Sequence, residues 1–217
     1  MNSAATHIQQ LPELNDDQFK QKYLKQKQGM HILAGILPLV EQETLAVRAV
    51  KLAIQVNFKL GAKLAGMVKP EFQKATVKLI AKIKTSPWLK IQLLALTRSD
   101  IAIPMLLKGL NNQEIAVRRN CLLALGKIGS QTAVIQLARS LNSEDSQVRA
   151  WAAWALGEID SKPAVATLQK ALNHQASDVR AWAVWALGKI NPTVALPPLI
   201  EALKHQDSEV RWRAAVN

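Results

Sequence analysis

The sequence predicts an all-α fold, a right-handed solenoid of stacked helix pairs, and three observations carry that reading. The dipeptides Val117-Arg118, Val148-Arg149, Val179-Arg180 and Val210-Arg211 recur every 31 residues, a period typical of units too small to bury an apolar face alone. Between them apolar residues fall at helical spacings, as in Ala133, Val134, Leu137 and Leu141. Strand signals are missing: no Asn-Gly or Asp-Gly hairpin turn occurs, and valine and isoleucine follow helical intervals. Solenoids present extended surfaces to partners, so the repeat speaks more clearly about shape than about a reaction.

One unit spans Gln131 to Ile159. Its first helix carries the stripe just named, and Asn142 to Asp145 form a polar turn. Asp145 or Ser146 then supplies an acceptor for the free N–H groups that open the second helix. Val148, Ala152, Ala155, Leu156 and Ile159 give that helix its buried face. Gly157 near its end reads as a helix-terminating glycine before the turn at Asp160-Ser161. Leu168, Leu172, Val179 and Leu187 repeat the pattern, and Leu106, Leu110, Val117 and Leu125 precede it. Pro163 and Pro192 sit where a helix begins, which suits a fixed φ and a missing N–H.

The run Leu89 to Leu96 reads as a degenerate unit, offset from Val117 by 28 residues rather than 31. Upstream, helices are expected over 44–56, 58–68 and 70–84, with Pro70 and Glu71 suiting a first turn. The chain therefore divides into 1–29, a polar tail or short helix; 30–86, lysine-rich irregular helical pairs; and 87–217, repeats of period 31. Residues 1–15 are expected to be loose and 16–28 to form one short polar helix. The last repeat is truncated, because Arg211 to Asn217 begin a second helix and stop within it. A partner, a dimer contact or further chain is expected to cover that end.

Composition narrows the class. A single cysteine, Cys121, excludes an internal disulfide and suits a reducing compartment. The polar stretch Met1 to Gln10 lacks the apolar core of a signal peptide. The apolar stretch Ile32 to Val40 is too short to cross a bilayer and contains Pro38. A cytoplasmic protein is expected. The net charge is +12, and it is concentrated: residues 20–90 hold fourteen basic and three acidic side chains. Such an excess favours an acidic partner, whether protein, nucleic acid or membrane surface.

Candidate functional residues follow from the period. Arg118, Arg149, Arg180 and Arg211 should align across successive second helices, near Glu114, Asp145, Asp178, Asp207 and Glu209, as a structural ladder of charge-assisted hydrogen bonds. Trp151 and Trp182 are 31 residues apart, as are Trp154 and Trp185. Within each helix the pair is spaced i, i+3 and shares a face. Four such rings form a candidate partner-binding patch, since exposed aromatics on a rigid surface anchor interfaces. Trp212 lies one position earlier than its counterparts and should point elsewhere. Lys74, Lys78 and Lys82 stand one turn apart, as do Lys59 and Lys63, giving rows suited to an acidic partner. His174 and His205 occupy equivalent turns and read as solvated, because two histidines without companion carboxylates or thiolates make a poor metal site. Cys121 reads as a buried structural thiol. No metal or cofactor site, paired catalytic carboxylates or nucleophile constellation is evident.

The motif V-R-x-x-A-x-x-A-L-G-x-I, present from Val148 to Ile159 and again from Val179 to Ile190, resembles the short HEAT-like repeats known from phycobilisome lyases. The copy from Val117 to Ile128 departs from it at Asn120-Cys121. In such repeats the second helix lines the concave side, so the resemblance places the four tryptophans there. A fainter resemblance links Leu60 to Phe72, followed by the Leu89 unit, to the segment before the HEAT repeats of some cyanobacterial NACHT-type signalling ATPases. No phosphate loop accompanies it: Gly126-Lys127 is followed by Ile128 and lacks the upstream glycine. The expected function is non-enzymatic protein–protein recognition by an adaptor or sensor scaffold. The resemblance implies a bilin lyase or chaperone-like subunit acting on phycobiliproteins as the alternative. Sequence-independent binding to a nucleic-acid backbone is a third reading, opposed by the low share of arginine in the basic segment.

Overall fold

Side-chain caps and prolines mark the starts of many helices. Asn57, Ser86, Ser130, Asp145, Ser161 and Asn191 each accept hydrogen bonds from the first free backbone N–H groups of the helix they precede. Pro70, Pro87, Pro163 and Pro192 stand in first turns, where no N–H is needed. The structure, a computed structural model, describes residues 4–216, with the side chain of Val194 outside that description. It contains helices and no strand among the described residues, and the chain divides into two compact units, Met1–Ala102 and Ile103–Asn217.

The first unit begins with α1 (Ala4–Gln10) and α2 (Asp16–Phe19), a π-helical turn over Lys20–Leu24, α3 (Lys27–Ile36) and a 3-10 turn over Leu37–Leu39. Four helices follow: α4 (Glu43–Val56), α5 (Phe58–Met67), α6 (Pro70–Lys82) and α7 (Pro87–Leu96). The last three expected helices of the upstream region thus fall within two residues of their observed bounds. The N-terminal expectation needs correcting. Residues 4–10 are helical rather than loose, and residues 1–3 lie outside the described residues. His7 Nδ1 lies 2.9 Å from the Tyr23 hydroxyl, and Leu11 is only 2% exposed. Arg48 on α4 donates to the carbonyls of Leu11 and Leu14 and pairs with Asp16 at 2.7 Å. These partners lie 16 to 37 residues away in sequence, so no local pattern announces them.

Residues 16–28 likewise do not form one polar helix. Asn15 and Gln18 make a reciprocal capping box at the start of α2. Phe19 at the end of α2 and Tyr23 and Leu24 of the widened turn after it are buried, and Gln26 is extended before α3 begins. Further along, Lys90 on α7 donates its ammonium to the carbonyls of Ala81 and Ile83 at the end of α6. Those are the orphan acceptors of a helix C-terminus, and partial burial there lowers the lysine pKa.

The second unit is four helix pairs: α8 (Ile103–Gly109) with α9 (Ile115–Ile128), α10 (Gln131–Ser140) with α11 (Ser146–Gly157), α12 (Lys162–Ala171) with α13 (Ser177–Lys189), and α14 (Pro192–Ala202) with α15 (Ser208–Val216). First helices α10, α12 and α14 pack in sequence, and second helices α9, α11, α13 and α15 do the same. The two layers enclose an apolar seam. Leu106, Leu137 and Leu168 from the first layer and Leu125, Leu156 and Leu187 from the second are buried. Leu203, the counterpart of Leu141 and Leu172, is exposed.

Gly157 corrects its sequence reading. The residue closing α11 is Glu158, in right-handed conformation. Gly157 is needed for packing instead: a Cβ there would stand 3.0 Å from the Ala186 Cβ and 3.1 Å from the Ala186 carbonyl oxygen on α13. Gly126 meets Ala155 of α11 in the same way. Small residues at this register let second helices approach closely. Only Gly129, with φ of 67°, closes a helix in the left-handed conformation among the described glycines.

Candidate functional site: the tryptophan face

The 31-residue register sets Trp151 and Trp154 on α11 above Trp182 and Trp185 on α13. Each pair meets edge to face, Trp151–Trp154 at 5.8 Å and Trp182–Trp185 at 5.5 Å between ring centroids, both at 79°. Trp154 and Trp185 lie nearly parallel at 6.5 Å and join the pairs into one array. All four rings stay at least partly accessible, and Trp182 is 37% exposed. Trp212, one register position away, is 59% exposed and lies outside this array.

Two shallow cavities open against the rings. One, of about 440 Å³, is lined by the four tryptophans with Ala181 and Arg213. The other, of about 270 Å³, lies between α9 and α11 and is lined by Ile115, Arg119 and Gln147 together with Trp151, Trp154 and Trp182. No carboxylate lines either. The sequence reading missed the cations. Arg119 lies over Trp151 at 5.4 Å and Lys189 over Trp185 at 5.2 Å, both cation–π contacts. Arg119 Nε is buried without a hydrogen-bond acceptor. Aligning the repeats by their Val-Arg pairs puts Arg119 and Arg213 within one position of the Trp151 register, in the repeats before and after the array. That alignment was the available signal.

The repeated arginines tie neighbouring pairs together. Arg118 reaches Asp145 at 3.1 Å, Arg149 reaches Asp178 at 2.8 Å and Arg180 reaches Asp207 at 2.5 Å. Each also donates through Nη1 to two carbonyls of its own intra-pair turn, such as Ser143 and Glu144 for Arg149. Arg211 repeats this carbonyl contact at His205 and Gln206. The Arg180 hydrogen bond, and the backbone N–H of Glu209, hold the Asp207 carboxyl below its ordinary pKa.

The two histidines are not merely solvated. His174 Nε2 lies 3.2 Å from Asn142 Oδ1, and its Nδ1 accepts from the Ala176 N–H. His205 repeats this with Asn173 and Asp207. An Nδ1 that accepts a backbone N–H leaves the neutral ring its proton on Nε2, so each ring donates to the asparagine one repeat earlier. The asparagines sit at polar turn positions, where solvation was the simpler expectation.

The remaining candidates are dispersed. Lys59 and Lys63 on α5, and Lys74, Lys78 and Lys82 on α6, are exposed. Cys121 is buried, and burial pushes its thiol pKa up to about 11. No group of histidine, cysteine, aspartate or glutamate suited to a metal ion occurs among the described residues, and no helix there is long and apolar enough to cross a membrane.

The repeated helix pairs correspond to a known family. Its model, described as HEAT repeats, matches residues 69–156 and 136–217. The chain belongs to the HEAT-repeat family. No curated protein matches this HEAT-repeat chain. Similar solved structures include an engineered protein at 23% identity, with 99% of this chain and 94% of that one covered and a TM-score of 0.36. A designed armadillo repeat protein in complex with the peptide (KR)4 is 21% identical over 93% of this chain and 97% of that one, with a TM-score of 0.36. Cex1p is 14% identical over 98% of this chain and 51% of that one, with a TM-score of 0.43.

Proposed function

We propose that this HEAT-repeat protein is a non-enzymatic adaptor or sensor scaffold that recognises a protein partner through Trp151, Trp154, Trp182 and Trp185. The solenoid fold is one commonly used for protein–protein interaction. The observation that carries the finer reading is the ring array itself: four accessible indoles from two helices, with open cavities against them. Tryptophan is among the residues that dominate interface energetics, because it buries a large area with few rotatable bonds. Lys59, Lys63, Lys74, Lys78 and Lys82 supply long-range attraction for an acidic partner. The arginine ladder of Arg118, Arg149, Arg180 and Arg211 serves the scaffold rather than the partner.

The test is affinity capture from the source cells with the wild type beside a variant carrying alanine at all four tryptophans. Circular dichroism must first show equal helix content. A discrete protein retained by the wild type and lost from the variant is the expected result. The same catch from both would remove the tryptophan face from the reading. The alternative of bilin handling predicts visible absorbance and quenched indole emission on mixing with a bilin. What favours it is the aromatic slot flanked by cations, which suits a flat ligand carrying carboxylates.

A further inference from the structure

We infer that the tryptophan face takes an extended, proline-rich peptide in the polyproline II conformation, with acidic residues flanking its apolar centre. This rests on the reading of that face as a recognition site and adds the chemistry of its occupant. Three features select it. The first is shape. Indoles within each helix stand at 79° to one another, and the two cavities against them, of about 270 and 440 Å³, lie one repeat apart against shared rings. Cavities of this size take one or two side chains each rather than a whole helix of about 10–12 Å diameter. Aromatic-lined grooves are the usual docking surface for proline-rich segments.

The second is spacing. Packed helices stand roughly 8–10 Å apart. A polyproline II chain rises about 3.1 Å per residue with three residues per turn. Residues i and i+3 therefore share a face about 9 Å apart, in step with the second helices. The inner rings come closer, 6.5 Å between Trp154 and Trp185, so the register that matters is that of the two cavities, one per helix step, and the same-face residues of a β-strand, about 7 or 13 Å apart, match that step less well. Proline at those positions also lowers the ordering cost of binding, because its φ is already fixed.

The third is charge. Arg119 and Lys189 lie over rings of the array, Arg213 lines the larger cavity, and no carboxylate lines either one. Arg213 is already held by Glu209 at 2.7 Å, so Arg119 and Lys189 carry most of the complementarity. Arg119 has a buried Nε without an acceptor. It and Lys189 belong to helices two repeat steps apart, α9 and α13, roughly 20 Å, which a polyproline II segment covers in about six or seven residues. A fitting ligand thus has prolines or bulky apolar residues at i and i+3 near its centre and carboxylates toward both ends.

Tryptophan fluorescence titration of the full chain with three synthetic decapeptides tests this. The first has two prolines three residues apart and two glutamates at each end. The second replaces the glutamates with lysines, and the third replaces the prolines with glycines. The first peptide should shift the indole emission and bind at least tenfold more tightly than the second and several-fold more tightly than the third. Trp182→Ala should abolish the response and Arg119→Gln should weaken it several-fold, while Trp88→Ala leaves affinity unchanged. Trp182→Phe, which preserves an aromatic ring, should retain part of the affinity and guards against loss of fold. Equal or tighter binding of the lysine or glycine peptide overturns the inference, as does displacement of the first peptide by a ten-residue oligothymidylate. If no peptide binds while tryptophan-dependent capture from cells persists, the inference fails and the adaptor reading stands. If both fail, both fall.

Discussion

At the scale of single residues, the close contacts between second helices have consequences that can be measured. Gly157→Ala gains the helix propensity of alanine, worth up to about 1 kcal/mol. It also drives a methyl group into the Cβ, Cα and carbonyl oxygen of Ala186, none of which is the end of a flexible side chain. Overpacking of this kind costs about 1–3 kcal/mol, so the variant should lose about 1 kcal/mol net in urea unfolding. A gain in stability would show that α11 and α13 separate freely. Cys121 offers a second residue-scale expectation. Its thiol is held neutral by burial, with a pKa raised from 9.0 to about 11, so native protein at pH 8 should react with a disulfide reagent far more slowly than urea-unfolded protein. The unfolded thiol ionises first, so between pH 9 and pH 11 the folded state binds more protons and stability falls as pH rises. Cys121→Ala should remove that part of the slope. The residue scale also shows where the sequence sufficed. The tryptophan pairs were legible because two copies share one register. Arg119 and Lys189 left fainter signals, since neither repeats at 31: Lys189 follows Trp185 by four residues on α13, and Arg119 comes near the Trp151 register only when the repeats are aligned.

At the scale of elements, the repeat helices were readable because the pairs are built from local signals: a period near 3.6, a polar turn and, in the pairs from α10 onward, at least one side-chain cap. The N-terminal helices were not, because they are fixed by distant groups. Leu11, Leu14 and Asp16 are all held by Arg48 of α4. Hydrogen bonds to charged groups contribute about 1.5–3 kcal/mol each. Arg48→Ala should therefore lower hydrogen-exchange protection in α1 and α2 by at least tenfold, while protection in α9 to α13 stays as it was. Unchanged protection in α1 would mean that Leu11 and Tyr23 hold it without the clamp. The link between α13 and α15 is also testable. Asp207 has a pKa lowered from 3.8, first by the Arg180 hydrogen bond. Its contribution to stability is present above the ordinary carboxylate value and is lost as pH falls through the depressed folded value. Asp207→Asn should make acid unfolding less steep in that window and lower stability at neutral pH. A neutral-pH stability equal to wild type would reduce this rung to a surface contact of negligible worth.

At the scale of the whole molecule, the contacts that hold the repeats together can be separated from the charge carried by the chain. A repeat array is stabilised by nearest-neighbour contacts, with each pair supporting the next. Here those contacts are the leucine seam, the small-residue register, the Arg–Asp and Asn–His links and the stacking of Trp154 on Trp185, while Trp182 keeps the largest exposed surface of the four rings. The charge follows a separate logic. The excess that brings the chain to +12 is concentrated in residues 20–90, and it includes five exposed lysines in two rows one turn apart. Charges that act at long range change the rate of encounter more than the lifetime of the complex. Replacing Lys59, Lys63, Lys74, Lys78 and Lys82 with glutamine should therefore slow association with an acidic partner by about tenfold at low salt and leave dissociation nearly constant. Raising the salt from about 50 to 500 mM, which shortens the screening length to a few ångströms, should bring wild type and variant together. Alanine at Trp151 and Trp182 should do the reverse, speeding dissociation with little effect on the salt dependence. Surface plasmon resonance on the captured partner separates the two rates. If the lysine variant instead altered dissociation as strongly as the tryptophan variant does, the lysine rows would belong to the contact itself.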